Sequence, residues 1–309
     1  MLNKLKKWKE WPIISWVILV LKKIVLPGFH GMSLYAVLNF FWIGITKGLL
    51  EQRASAIAFK IILGLFPGAI IILSLIPFIP IEGFQDDLLL GLKDWLPGDA
   101  YTLISETVND LLSYKHSTFL SIGFVFGVYY ASNSIYAMLD GFSTSYNIAR
   151  GLSFFKKRIF SVVLMVLLPL FMGSAFLVQT LSKIALDFLK DQDIFFDSIQ
   201  ILLFFGAKWF VIILFFALGI STLYNLGETR RKKWRIFSPG TNFSTLFIIL
   251  ISQGFAWYVN SFGQYSKLYG SLGTIVVLLM WIYLNTLILL LGFELNASIS
   301  SARKKFSEI

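Results

Sequence analysis

Read only as apolar and polar positions, the chain resolves into six long apolar runs, at roughly residues 54–80, 118–142, 158–183, 199–225, 239–262 and 270–298. Each approaches or exceeds the roughly 20 apolar residues that carry a helix across a bilayer. The pattern predicts an all-α integral membrane protein with six transmembrane helices. A shorter run, SLYAVLNFFWIGITKGLL (33–50), leads into Glu51, Gln52 and Arg53 with no loop before the next run. Two consecutive spans need a loop, so 33–50 is expected to be an interfacial helix feeding the first span. The extreme N-terminus, MLNKLKKWKEWPIISWVILVLKK, imitates a signal peptide. However, it lacks a small-x-small cleavage pattern and ends on Lys22 and Lys23, while Trp8, Trp11 and Trp16 beside lysines suit a retained helix lying in the interface.

The expected organisation is therefore 1–53 as N-terminal interfacial amphipathic helices, 54–300 as a six-helix transmembrane domain, and 301–309 as a short basic cytoplasmic tail. Residues 81–117, with Pro97–Gly98–Asp99 as a helix start, are expected to form an amphipathic cap on the outer face.

Composition agrees with the pattern. Of 309 residues, 57% are hydrophobic and only 14% are charged, well below the quarter typical of soluble domains. The net charge of +10 would suit nucleic acid or anionic lipid. Its placement decides. With both termini cytoplasmic, the inner segments hold 20 of the 27 basic residues, including Arg53, Arg150, Lys156, Lys157, Arg158 and the tract Arg230, Arg231, Lys232, Lys233 and Arg235. Basic residues resist translocation, so this asymmetry favours six spans with both ends inside, with anionic membrane lipids as partners and no nucleic acid. Cysteine is absent, and the two histidines, His30 and His116, are far apart, so no metal site and no cofactor is expected.

Three segments carry a family resemblance. RASAIAFKIILGLFPGAIIILSLIPF, YYASNSIYAMLDGFSTSYNI and YGSLGTIVVLLMWIYLNTLILLLGFELNA resemble, in order and spacing, the first, second and last spans of the YihY/virulence factor BrkB family of bacterial inner-membrane proteins. The last block, with Tyr269–Gly270, Trp281, Tyr283 and Gly292-Phe-Glu294-Leu-Asn, is the most specific. Gly64, Tyr146 and Phe293 depart from the residues usual in that family, which marks a divergent member. The family was once labelled ribonuclease BN, a misassignment. The resemblance implies a role in moving lipid or a lipid-linked envelope precursor, without fixing the substrate.

Polar residues inside the runs are the candidate chemistry. Tyr129, Asn133, Tyr136 and Asp140 form one stripe on the second span, and Gln253, Trp257, Asn260 and Gln264 repeat that spacing on the fifth. On the sixth, Tyr283 and Glu294 share a face, with Asn285 and Asn296 on a neighbouring one. Two readings stand: a cavity wall for an amphipathic substrate, or interhelical hydrogen-bonding glue. Glu294 and Asp140 lie near the cytoplasmic ends of their helices, where either could pair with Arg53 as a gate or as a structural bridge. Lys208 suits an anionic headgroup or snorkels to the interface. Pro67, Pro77 and Pro169 are expected to kink their helices. Gly64-xxx-Gly68 and Gly123-xxx-Gly127 permit close contact within the chain or in a homo-oligomer.

The expected function is an inner-membrane transporter or flippase-like protein for an amphipathic anionic molecule. The alternative is a non-catalytic scaffold for envelope machinery. No GxxxxGK[ST] loop exists, inner-loop carboxylates are sparse, and no Ser–His or Asp–Asp arrangement is evident, so enzymatic activity is not expected.

Overall fold

A computed structural model describes residues 12–75, 117–147, 151–191, 198–228, 234–261 and 271–307. Among these, all regular structure is helical. The helices are α1 (Pro12–Lys23), α2 (Leu34–Lys47), α3 (Leu50–Leu75), α4 (Ser117–Ser143), α5 (Phe154–Asp191), α6 (Ser198–Gly227), α7 (Pro239–Ser261) and α8 (Ser271–Ser307). Each of the six apolar runs coincides with one of α3 to α8. By length and composition, three segments among the described residues suffice to cross a membrane: Phe154–Ala175, Phe204–Gly227 and Ile275–Lys304. The chain is an all-helical membrane protein.

Helix boundaries follow local chemistry. Ser33 caps α2 by accepting from the Ala36 N–H at 3.3 Å. Ser238 caps α7, accepting from the Thr241 N–H at 3.2 Å, and Pro239 occupies the first helical position, where its missing N–H costs nothing. The sequence reading saw no break between residues 33–50 and the first span. The structure places one at Gly48 and Leu49, the latter at a φ of 48°, a left-handed value that Leu adopts only at a cost. Two residues are too few for a loop between two spans, but enough for a corner. At the basic tail, α8 continues to Ser307, so Arg303 and Lys304 extend the last helix. No Gly or Pro interrupts that stretch, and cations favour a helix C-terminus.

The chain forms two compact units, Met1–Ala58 with Tyr136–Ile309, and Phe59–Ile135. In the smaller unit, α3 and α4 lie backbone to backbone. A Cβ on Gly64 would stand 2.8 Å from the Tyr130 carbonyl, and the Ser134 hydroxyl donates to the Lys60 carbonyl at 2.7 Å. Gly64 thus serves contact within the chain. In the larger unit, α5 packs on α6, α7 on both α6 and α8, and α2 on α8. Phe29, Val37 and Ile299 form a buried cluster that fixes the α1–α2 turn and α2 to the end of α8.

Helical structure runs through Pro67 in α3 and Pro169 in α5. Pro169 is exposed, so that face of α5 looks outward and lines no interior. Pro77 and the cap at 81–117 lie outside the described residues.

Candidate functional site

The larger unit gathers its polar groups at the end where basic residues concentrate. Glu294 on α8 is the centre, with no exposed surface. Its Oε2 accepts from the Ser145 hydroxyl at 2.7 Å, and its Oε1 from Asn147 Nδ2 at 2.6 Å. Both donors belong to the turn after α4. Asn147 Nδ2 also reaches the Phe40 carbonyl of α2 at 3.2 Å and the Ser298 hydroxyl of α8 at 3.1 Å. The Asn147 carbonyl accepts from Ser301 at 2.9 Å. One Asn thus ties α2, the α4 turn and α8 together around the carboxylate. An isolated buried carboxylate is costly, and these hydrogen bonds are what make Glu294 tolerable there. Gly44 makes room: a Cβ on it would stand 2.7 Å from the Glu294 carboxyl carbon and 2.7 Å from Asn147 Nδ2.

Arg53 stands at the first turn of α3. It donates through Nη1 to the Gly48 carbonyl at 3.0 Å and through Nη2 to the Gly141 carbonyl, while Nε is buried without a partner among the described residues. Burial pushes the Arg53 guanidinium below its ordinary pKa, and the negative charge of Glu294 opposes that only in part. The two do not form the direct ion pair considered from the sequence, because backbone carbonyls hold the cation and neutral donors hold the anion. Asp140 also goes elsewhere: its Oδ1 accepts from Lys157 Nζ at 2.6 Å.

Beside Glu294 the helices are locked by aromatic and hydroxyl groups. Phe293 stacks on Phe142 with centroids 4.1 Å apart, and Tyr224 meets both rings edge-on. Phe293, one of the three residues at which the chain departs from the usual family pattern, is therefore a ring filling the seam between α4, α6 and α8. The Tyr224 hydroxyl donates to the Leu289 carbonyl at 2.7 Å and contacts Ser244 Oγ at 2.6 Å. Asn296 accepts from the Gly240 N–H and donates to Ser238 Oγ, both at 2.9 Å, which satisfies the start of α7. Where α7 meets α8, a Cβ on Gly292 would stand 2.7 Å from the Gly240 carbonyl, so the two backbones touch.

The remaining predicted residues are arranged differently. Gln253 and Trp257 are exposed on α7. Trp281 Nε1 donates to Ser252 Oγ at 3.3 Å, linking α7 and α8. Asn285 donates to the Trp281 carbonyl at 2.8 Å, while its Oδ1 is buried without a partner among the described residues. Lys208 lies 5.5 Å from the Phe205 ring centroid. Tyr136 and Tyr283 are half-buried, as is Asn133 in the smaller unit. The Asn260 side chain and Gln264 lie outside the described residues. The structure therefore joins Glu294 and Asn296 to the wall between helices and leaves Gln253 and Asn285 apart from it. Sequence reasoning missed Ser145, Asn147 and Ser298. The signal available was the cluster of small polar residues in FSTSYN, immediately after an apolar helix.

Apolar helices around a hydrogen-bonded, buried carboxylate define a membrane protein that encloses a polar group in its interior. The family model described as "Virulence factor BrkB" matches residues 43–308, and the chain belongs to that family. Among similar proteins, "Putative ribonuclease-like protein YfkH" of Bacillus subtilis (strain 168) is 28% identical over 258 residues, covering 82% of this chain and 91% of that protein. "UPF0761 membrane protein Bpet3042" of Bordetella petrii is 26% identical over 81% of this chain, which spans 54% of that relative's length. "UPF0761 membrane protein PSHAa0171" of Pseudoalteromonas translucida is 39% identical over 82 residues, 26% of this chain and 27% of the relative. No solved structure matches.

Proposed function

We propose that the chain is a non-enzymatic carrier for an amphipathic anionic molecule, of the lipid or lipid-linked precursor class, in a bacterial inner membrane. It spans that membrane six times with both ends inside. The observation that carries this reading is the unspent polarity of α7 and α8 away from Glu294. Gln253 is exposed and Asn285 Oδ1 has no partner among the described residues, although polar groups in lipid normally find one. An amphipathic substrate with a polar head supplies such a partner. Topology draws support from the larger unit, where hydrogen bonds join Arg53 to Gly141, Ser145 to Glu294, and Asn296 to Ser238. These join segments assigned to the same side by their basic residues.

The test is lipid movement in vesicles reconstituted with the full chain and a fluorescent anionic lipid. Wild type should accelerate movement across the bilayer, and Gln253→Leu with Asn285→Leu should remove most of that acceleration. Equal rates with and without protein would overturn the reading.

The saturated hydrogen bonding around Glu294 favours a second reading, a rigid scaffold for envelope machinery. That reading expects the Gln253 and Asn285 substitutions to leave function intact, while charge changes in 81–117 abolish it.

A further inference from the structure

On the surface of the larger unit, the α1–α2 turn and the segment leading into α7 enclose an open cleft lined by Leu26, Gly28, His30, Gly31 and residues 234–237. Its one arginine is held unusually firmly. The Arg235 carbonyl accepts from Ser221 Oγ at 2.7 Å and Asn225 Nδ2 at 3.0 Å, and its N–H donates to Asn225 Oδ1 at 3.3 Å. Three hydrogen bonds from α6 thus fix the backbone that carries the guanidinium. The Arg235 side chain donates through Nη1 to His30 Nε2.

His30 is itself fixed. It sits at a φ of 54°, between Gly28 at 87° and Gly31 at 81°, in a turn pinned by the buried Phe29. A Cβ on Gly28 would lie 2.9 Å from Pro239, whereas one on Gly31 would meet nothing within 4 Å. The cleft is therefore tight on the α7 side and open in front of Gly31. Strained non-glycine backbone of this kind persists where the surroundings enforce it.

The rim is apolar and uncovered. Trp234 is 60% exposed and Phe237 61%, with Leu26 and Ile236 also exposed. In the sequence, Trp234 follows directly on Arg230, Arg231, Lys232 and Lys233. Exposed tryptophan and phenylalanine around a fixed cation, next to a basic tract, match the chemistry of a headgroup phosphate with its acyl chains alongside. A free anion would have no use for that rim.

We propose that this cleft is a fixed binding site for an anionic phospholipid, with Arg235 contacting the headgroup phosphate, His30 positioning Arg235, and Trp234 and Phe237 packing on the acyl chains. The site binds lipid whether or not the bundle moves it, and the test reads binding without transport.

Full-length protein in neutral detergent is titrated with phosphatidylglycerol or phosphatidylcholine, and retained lipid is counted by native mass spectrometry. Phosphatidylglycerol should be retained over phosphatidylcholine. Arg235→Gln should weaken phosphatidylglycerol retention about tenfold, as loss of a charge-assisted contact to phosphate implies, and leave phosphatidylcholine unchanged. Lys23→Gln, an equal charge loss at the exposed end of α1, should have little effect. Should Arg235→Gln fail to give folded protein by circular dichroism and gel filtration, Trp234→Ala with Phe237→Ala replaces it. That pair should weaken phosphatidylglycerol retention several-fold. Equal retention by the folded variant and wild type would overturn the proposal. So would an equal loss in Lys23→Gln, which would indicate general charge attraction. Displacement of phosphatidylglycerol by millimolar inorganic phosphate would overturn it as well, indicating an anion site only.

Discussion

The two ends of the α7–α8 pair use polar residues in opposite ways. At the basic end, Glu294, Asn296, Ser238, Ser244 and Tyr224 are buried and hydrogen-bonded to one another or to backbone. Farther along, Gln253 is exposed, and Asn285 satisfies only its own helix's Trp281 carbonyl. The same residue types are structural where their hydrogen bonds close between helices and available where they do not. Burial follows the same division, since Glu294 and Asn296 are buried while Asn285 is half-buried and Gln253 exposed.

Substitutions should widen that contrast. The largest effect is expected from Gly44→Leu, which drives a side chain into the Glu294 carboxylate and Asn147. A loss of about 3 kcal/mol or more, or failure to fold, should appear in unfolding titrations in mixed micelles. Glu294→Ala comes next. It strands the Ser145 and Asn147 donors and should cost about 2–4 kcal/mol, with Glu294→Gln milder because one acceptor survives. Tyr224→Phe removes the bond to the Leu289 carbonyl while keeping the aromatic contacts, for about 1 kcal/mol. Asn285→Leu should change stability by less than about 0.5 kcal/mol in either direction yet reduce lipid movement. A loss as large as that of Glu294→Ala would erase the distinction between the two ends. Asp140→Asn, which breaks a partly exposed ion pair, should likewise cost less than about 1 kcal/mol.

Much of this fold was legible in the sequence because apolar length is a direct signal: each of the six runs became one of α3 to α8. The α2–α3 corner was less legible. Its only mark was Gly48, and the left-handed residue proved to be Leu49. Partner choice was least legible. Helical spacing put Glu294 near Arg53 in depth, and electrostatically they do interact. Spacing does not say that Ser145 and Asn147, in a turn about 150 positions away, reach the carboxylate first. Likewise Asp140 lay on a stripe by periodicity but is held by Lys157 from the next helix. Periodicity reports the face of a helix. The turn that closes over that face is set by tertiary packing.

The contact between Gly240 and Gly292 has a mechanical consequence. Two helices whose backbones touch, with Tyr224 and Ser244 crowded against the same glycine, cannot slide along each other there without collision. Packed seams of this kind are rigid and do not deform continuously. If α7 and α8 part to admit a substrate, they do so as a hinge whose pin is this glycine pair. The amplitude of opening then grows with distance from it, toward Ser252 and Asn285.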